Sequence, residues 1–493
     1  MKKYWIALVA TSILLGSCNK WLDIQPEAQV SEDQLFSTEE GFEESLNGIY
    51  TRCIQTDIYG EELTFGLPEV LAQNYTLYSF NGLAPELDYS EDVIYNFTNS
   101  RFIARKDKIW QGLYNAIGNC NLLLKNLELK KTLFTPSRYA LLKGEALGLR
   151  GYLHFDALRL FAPSYTSNPV AKAIPYVVTF TDAPTPLSTV SETLDKIVTD
   201  LKEAKALLAP VDSIAKASYV VGYESDPTVT ENSAPFLFLQ NRRNRMNYYA
   251  VCGSLARVYL YKDDKINAAL NAQEIIDAKK FPWTTKADFI NSNAALKDRI
   301  NYKEVMFGWP IPKQEENLVK RFKVFTFSKT DGDILYEYPG IAAEDNRYKE
   351  WLLLNSTNST YELQKYVRNQ NAKTDDATTN RHPLTAPAIR LSEMYYILAE
   401  CTYDTDPTKA NALVDSVRYH RGIGIPFTAS SKAEFLDGLV REARKELYAE
   451  GQIFYMYKRL NKSIIGPAGR IYPAGYNIFV LPLPNDEIEY GGR

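Results

Sequence analysis

Apolar residues in this 493-residue chain recur at three- and four-residue spacing in segments that come in close pairs. That spacing belongs to amphipathic helices, each of which must bury one face against a neighbour. Residues 38–55 read as a first helix, with Ser37 or Thr38 as N-cap, a glutamate-rich first turn, and Phe42, Leu46, Ile49 and Tyr50 on one face. A second, over 104–127, carries Ile109, Leu113, Ala116 or Ile117, and Cys120 or Leu124. The third, 136–161, carries Leu142, Ala146, Leu149, Leu153, Ala157 and Leu160 and is stopped by Ala162-Pro163. Residues 190–209 form the fourth, entered through Ser191-Glu192 and closed before Pro210. Two tighter pairs follow, 245–262 with 264–279 and 388–403 with 407–421. Leu255-Ala256 precedes Ala268-Ala269-Leu270 in one, and Leu398-Ala399 precedes Ala412-Leu413 in the other, at an offset of 143 residues.

Small residues at fixed places let paired helices approach closely, which is the signature of tetratricopeptide-like helical hairpins, although neither copy carries the full consensus. The segments 56–103, 211–243 and 281–387 lack helical spacing. They are rich in aromatic, Pro, Gly, Asn and Asp residues and hold short strand-like runs such as Val305-Met306-Phe307-Gly308-Trp309. Loops of that length inside a compact domain usually carry function. The expected fold is therefore mainly α: a helical-hairpin scaffold over about 38–55, 104–209, 245–279 and 388–460, with the three insertions forming one irregular, loop-rich lobe.

The N-terminus reads as a targeting segment. Met1-Lys2-Lys3 leads into an uncharged run from Tyr4 to Leu15, too short to span a bilayer. Leu15-Gly16-Ser17-Cys18 resembles the bacterial lipobox, so residues 1–17 are expected to be a lipoprotein signal peptide, with Cys18 acylated as the first residue of a single mature domain, 18–493. The alternative is an ordinary cleaved signal with Cys18 there by chance. No later run approaches the length of a spanning helix. With 56 basic against 60 acidic residues, no basic block and no nucleic-acid motif, a polyanion partner is excluded. Cys53, Cys120, Cys252 and Cys401 stand far apart, unlike metal-binding CxxC spacings or a dense disulfide scaffold. Buried thiols or one or two disulfides both fit. His154, His382 and His420 are too few and scattered for a metal site or a triad, and His154 reads as core.

Several segments then resemble the SusD/RagB family of outer-membrane nutrient-binding lipoproteins of Bacteroidetes. They begin with Trp21-Leu22-Asp23-Ile24-Gln25-Pro26 and Asn47-Gly48-Ile49-Tyr50, then Trp110, Tyr114, Ile117 and Asn121 at their family spacing, and Arg150-Gly151-Tyr152-Leu153-His154-Phe155-Asp156 with Arg159-Leu160-Phe161. Further on come Leu255-Ala256-Arg257-Val258-Tyr259, Ile389 to Glu400, Arg444-Lys445-Glu446-Leu447 with Glu450-Gly451, and Leu481-Pro482-Leu483-Pro484. Most of these residues read as structural. Arg257, Arg390, Glu393 and Glu400 interrupt apolar helices, where a charge must be paired, and Gly451 reads as a helix C-cap. Where the family carries an Arg and an Asp three residues apart, this chain has Ile453 and Met456, an apolar pair in place of an ion pair. The resemblance implies a cell-surface lipoprotein that lies as a lid over a SusC-like TonB-dependent transporter barrel and captures oligosaccharides or oligopeptides for import.

The chain has 34 tyrosines, 22 phenylalanines and 6 tryptophans, and aromatic faces beside amides suit either ligand class. Candidate ligand-binding residues in the lobe are Asn74, Tyr75, Tyr78, Phe80 and Asn81, with Phe325, Phe327, Tyr336 and Tyr338, each of which also suits the lobe's own core. Trp283 and Trp309 read as packing. No GxSxG, Walker or HExxH motif appears, and Glu442, Glu446 and Glu450 read as a solvated or ion-paired face, so no catalytic residue, metal or cofactor is expected. Asp331-Gly332-Asp333 reads as a turn rather than a calcium loop. The competing readings are a tetratricopeptide-type surface adaptor and a surface glycan hydrolase.

Overall fold

The computed structural model describes residues 31–77, 87–181, 183–311, 315–369 and 379–491. Its scaffold runs through helices α1 (Glu39–Cys53), α2 (Ser100–Leu129), α3 (Pro136–Phe161), α4 (Val190–Leu208), α5 (Tyr248–Tyr261), α6 (Lys265–Ala278), α7 (Leu391–Thr402), α8 (Pro407–His420), α9 (Lys432–Glu446) and α10 (Ile453–Arg459). Each of α1 to α8 packs on its sequence neighbour, and α9 leans on α7 and α10. This is the mainly α, hairpin-stacked fold that the paired apolar stripes require.

Local chemistry sets the helix starts. The Thr38 hydroxyl accepts the Gly41 N–H, and Thr135 caps α3 just before Pro136. For α4 the cap lies two residues earlier than Ser191. Thr189 accepts the Glu192 N–H and Glu192 accepts the Thr189 N–H at 2.7 Å, a reciprocal box that Ser191 could not make. Close approach of α3 and α4 depends on glycine: a Cβ on Gly144 would lie 2.7 Å from Leu208 Cγ, and one on Gly151 3.1 Å from Leu201 Cγ. Arg150 ties three helices together, with two bonds to Asp200 at 2.7 and 2.8 Å and one to Asn121 at 2.9 Å. His154 is core, as its surroundings suggest. Its Nδ1 meets the Arg150 carbonyl at 2.9 Å, its Nε2 accepts the Val177 N–H at 3.0 Å, and burial pulls its pKa down to about 3.

The insertions contain more helix than their sequence spacing shows. Leu67–Leu71, Glu315–Val324, Lys329–Tyr336 and Asn346–Trp351 are all helical, yet none exceeds ten residues, too short for periodicity to declare itself. Asp331-Gly332-Asp333 lies within Lys329–Tyr336, where Asp331 pairs with the N-cap Ser328 and Asp333 accepts from Tyr348 and Tyr361. Among the strands, Val305–Pro310 pairs antiparallel with Thr385–Arg390. A four-stranded antiparallel sheet runs in the order Thr76–Leu77, Phe325–Ser328, Thr360–Leu363, Leu352–Asn355.

The glutamate row of α9 is buried and ion-paired rather than solvated. Arg347 reaches Glu442 at 3.0 Å and Glu446 at 3.1 Å, Arg390 reaches Glu446 at 2.7 Å and Glu450 at 2.9 Å, and Arg421 joins Glu304 to Glu446. Arg257 and Arg459 hold Glu393 and Glu400 in the same way, each at 2.6 Å. α9 ends at Glu446 with Leu447 as its cap, so Gly451 is not the C-cap. Gly451 instead turns the chain at φ +71° and donates its N–H to Glu69 at 2.8 Å, with Leu63 O in the space a Cβ would need. Ile453 and Met456 lie against Leu439 and Ala443 of α9, the apolar replacement expected from the sequence. Cys53, Cys120, Cys252 and Cys401 are free thiols, the first three buried.

Candidate functional site

Two aromatic stretches 250 residues apart meet in one sheet. Thr76–Leu77 pairs antiparallel with Phe325–Ser328, placing Leu77 opposite Phe325. Tyr75 lies flat on the Phe325 ring at 5.1 Å and 20°, and Tyr89 meets the same ring edge-on at 5.4 Å. Offset and edge contacts of this kind order a junction between loops that have little regular structure of their own.

Beside this junction opens a cleft of about 720 Å³, walled by the loop after α1, the first turns of α2 and helix Glu315–Val324. From α2 come Arg101, Arg105 and Lys108, spaced i, i+4, i+7 on one face; from the loop come Asp57, Glu61 and Glu62. The deeper charges are fixed. Arg105 donates twice to Asp92, at 2.7 and 2.8 Å, and to Glu62 at 3.1 Å, and lies 3.7 Å over the Tyr89 ring. The Tyr89 hydroxyl donates to the other Glu62 oxygen at 2.8 Å. Burial pushes the Glu62 and Asp92 carboxyls above their ordinary range against the pull of Arg105. Arg321 pairs with Glu61, and Arg52 holds Asp57 at 2.8 Å. At the rim, Arg101 and Lys108 are exposed; Arg101 pairs with Asp88, and Lys108 has no ion-pair partner among the described residues. The result is an ion-paired floor beneath an exposed polar rim.

The candidates read from sequence fall into three groups. Asn74, Tyr75, Phe325, Phe327 and Tyr336 are buried. Asn74 bridges Glu69 at 2.8 Å and Arg444 at 3.2 Å, while the Tyr75 hydroxyl donates to the Phe65 carbonyl at 2.9 Å. These residues are framework under the lobe's surface. Tyr338 is 53% exposed and stacks on Tyr348 at 5.7 Å, offering its outer face to solvent. Tyr78, Phe80 and Asn81 lie outside the described residues, as does Cys18. Trp309 is fully buried against Tyr59 at 4.5 Å, and Trp283 stacks on His420 at 4.4 Å. The charged cleft residues were not singled out from the sequence. The signal that finds them is the row Arg101, Arg105, Lys108 on one face at the start of an otherwise apolar helix.

Fold and cleft together define a helical-hairpin protein whose candidate binding surface is built from insertions and the start of α2. Residues 20–219 match a SusD-like family described as starch-binding and associating with the outer membrane, and residues 352–465 match the SusD family. The chain belongs to the SusD/RagB family. It is 24% identical to a SusD-like protein of Formosa agariphila, over 95% of this chain and 94% of that one. Similar solved structures include a SusD superfamily protein of Bacteroides thetaiotaomicron, 20% identical with a TM-score of 0.70 over 92% of this chain and 98% of that one. A putative sugar-binding protein of Bacteroides vulgatus is 22% identical, with a TM-score of 0.67 over 92% and 96%. At these identities the structures speak to the fold. No helix among the described residues is long and apolar enough to cross a membrane.

Proposed function

We propose that this chain is a lipid-anchored protein of the outer cell surface that captures an oligosaccharide in the α2 cleft and passes it to a SusC-like TonB-dependent transporter. The observation that carries this reading is the cleft itself. It is built by two insertions and the start of α2, has room for a few sugar rings, and sets guanidinium and ammonium donors across from carboxylate acceptors. Vicinal hydroxyls both donate and accept, so alternating partners of this kind hold them better than they hold an apolar body. A family described as starch-binding and a neighbour named as sugar-binding support the same ligand class. Tyr338 adds an exposed aromatic face on the same lobe.

Capture here breaks no bond. Both Glu62 oxygens are already committed, to Arg105 and to Tyr89, which leaves that carboxyl poorly placed to deliver a proton. Acylation at Cys18 would keep the cleft beside its transporter, replacing a search through solution with a high effective concentration.

Calorimetry of a Cys18→Ser protein against panels of oligosaccharides and oligopeptides tests the reading. The expected result is binding of at least one glycan without release of product, weakened on the order of tenfold or more by joint Arg101→Ala and Lys108→Ala with the melting temperature unchanged. Failure to bind any glycan, with stable capture of a surface partner, would favour the adaptor; release of shortened sugars would make the protein a hydrolase.

A further inference from the structure

A second pocket, of about 620 Å³, shares no lining residue with the cleft. Helix Lys329–Tyr336, one face of α9 and the hairpin of Ile464–Ile465 with Ile471–Tyr472 enclose it. The hairpin is latched across its tip, where Ala468 donates its N–H to Asp331 at 3.0 Å. Ile334, Ile465 and Ile471 border the pocket while 69%, 54% and 65% exposed, a concentration of aliphatic surface that a solvated face does not need.

The charges in this pocket are unevenly satisfied. Asp331 is occupied by Ser328 and Ala468, and Asp437 is paired with Lys462 at 2.5 Å. Both acids are therefore committed. Arg444, by contrast, donates among the described residues only to neutral acceptors, Asn74 Oδ1 at 3.2 Å and the Gln73 carbonyl at 3.4 Å. Arg441 is half exposed, with Glu337 at 3.9 Å. Gln73 supplies an independent sign of a missing ligand. It is 1% exposed and its Nε2 donates to the Val93 carbonyl at 2.7 Å, but its Oε1 has no hydrogen-bond partner among the described residues. A buried acceptor in that state destabilises the fold unless a donor reaches it.

We infer that this pocket binds the C-terminal end of a peptide with aliphatic last residues. The α-carboxylate meets Arg444 and Arg441, a backbone N–H meets Gln73 Oε1 once that side chain turns toward the pocket, and aliphatic side chains lie among the three isoleucines. A neutral sugar lacks the carboxylate and the apolar body, and a fatty acid lacks the N–H. The inference stands apart from glycan capture in the cleft, and each can fail alone.

Titration calorimetry of the same protein with N-acetyl-Ala-Leu-Leu as free acid, its C-terminal amide, and decanoate tests it. The acid is expected to bind on the order of tenfold or more tighter than the amide or decanoate, a difference of at least about 1.4 kcal/mol. Arg444→Gln should erase the difference between acid and amide. Ile334→Asp and Ile465→Asp, at exposed positions, should weaken the acid on the order of tenfold with the melting temperature unchanged. Equal affinity for acid and amide, decanoate binding as tight as the peptide, or no acid binding at about 1 mM would overturn the inference. Oligosaccharide bound in the cleft should not compete, and competition would overturn the separateness of the two sites.

Discussion

Glu69 and Glu442 are both enclosed carboxyls, and their surroundings drive them in opposite directions. For Glu442, burial raises the pKa but Lys445, Arg347 and Arg418 outweigh it and hold the group at about 2. For Glu69, burial dominates the hydrogen bonds from Asn74, Ala449 and Gly451 and lifts the pKa from 4.5 to about 7. Asn74 therefore acts as the link between this carboxyl and Arg444. A carboxyl raised in the folded state contributes stability that is fully present below its unfolded value of 4.5 and is lost as pH rises through about 7. The difference amounts to about 3 kcal/mol. Glu442 contributes above 4.5 and loses its effect as pH falls toward about 2, so it is silent in the neutral window. Urea unfolding at pH 5 and pH 8 separates them: wild type should lose about 3 kcal/mol relative to Glu69→Gln over that interval. A pH-independent difference would mean that Glu69 is ionised throughout.

At the level of elements, Gly144 sets the spacing of α3 and α4. Replacing a helical Gly by Ala ordinarily stabilises by about 1 kcal/mol. Here the new methyl would meet Leu208 Cγ at 2.7 Å, and overpacking costs about 1–3 kcal/mol. Gly144→Ala is therefore expected to lower stability in the wild type and to raise it in a Leu208→Ala background, a change of sign that a double-mutant cycle in urea reads directly. Loss in both backgrounds would point away from a local clash. The α3 ends were legible from Pro136, Ala162 and Pro163 because helix punctuation is local chemistry, and the boundaries of α5 through α8 followed from unbroken apolar spacing. The cap at Thr189 was missed because Ser191-Glu192 presents similar residue types. The lobe was legible only as a lobe. The pairing of Thr76–Leu77 with Phe325–Ser328 joins residues 250 positions apart through a two-residue strand, and no periodicity encodes such a register. Aromatic content drew attention to these segments, but a ring that fills a core and a ring that faces solvent look the same in sequence. Hence Tyr75, Phe325 and Tyr336 turn out buried, while Arg101 and Lys108 at the cleft rim went unremarked.

In the whole molecule, the helical hairpins provide a frame on which insertions, the start of α2, α9 and the C-terminal hairpin build two unlike recessed surfaces, one polar and charged, the other aliphatic and edged by Arg441 and Arg444. On the reading proposed above, the charged cleft takes the glycan and the aliphatic pocket takes a peptide end, at separate places. Hydrogen–deuterium exchange with a saturating bound oligosaccharide locates that capture without altering any residue. Slowed exchange is expected in the loop at 56–62, in the first turns of α2 at 101–108 and in 317–321, with 434–446 and 463–472 unchanged. Slowed exchange confined to 434–446 and 463–472, or bound glycan with no protection at 101–108, would contradict the assignment of the cleft.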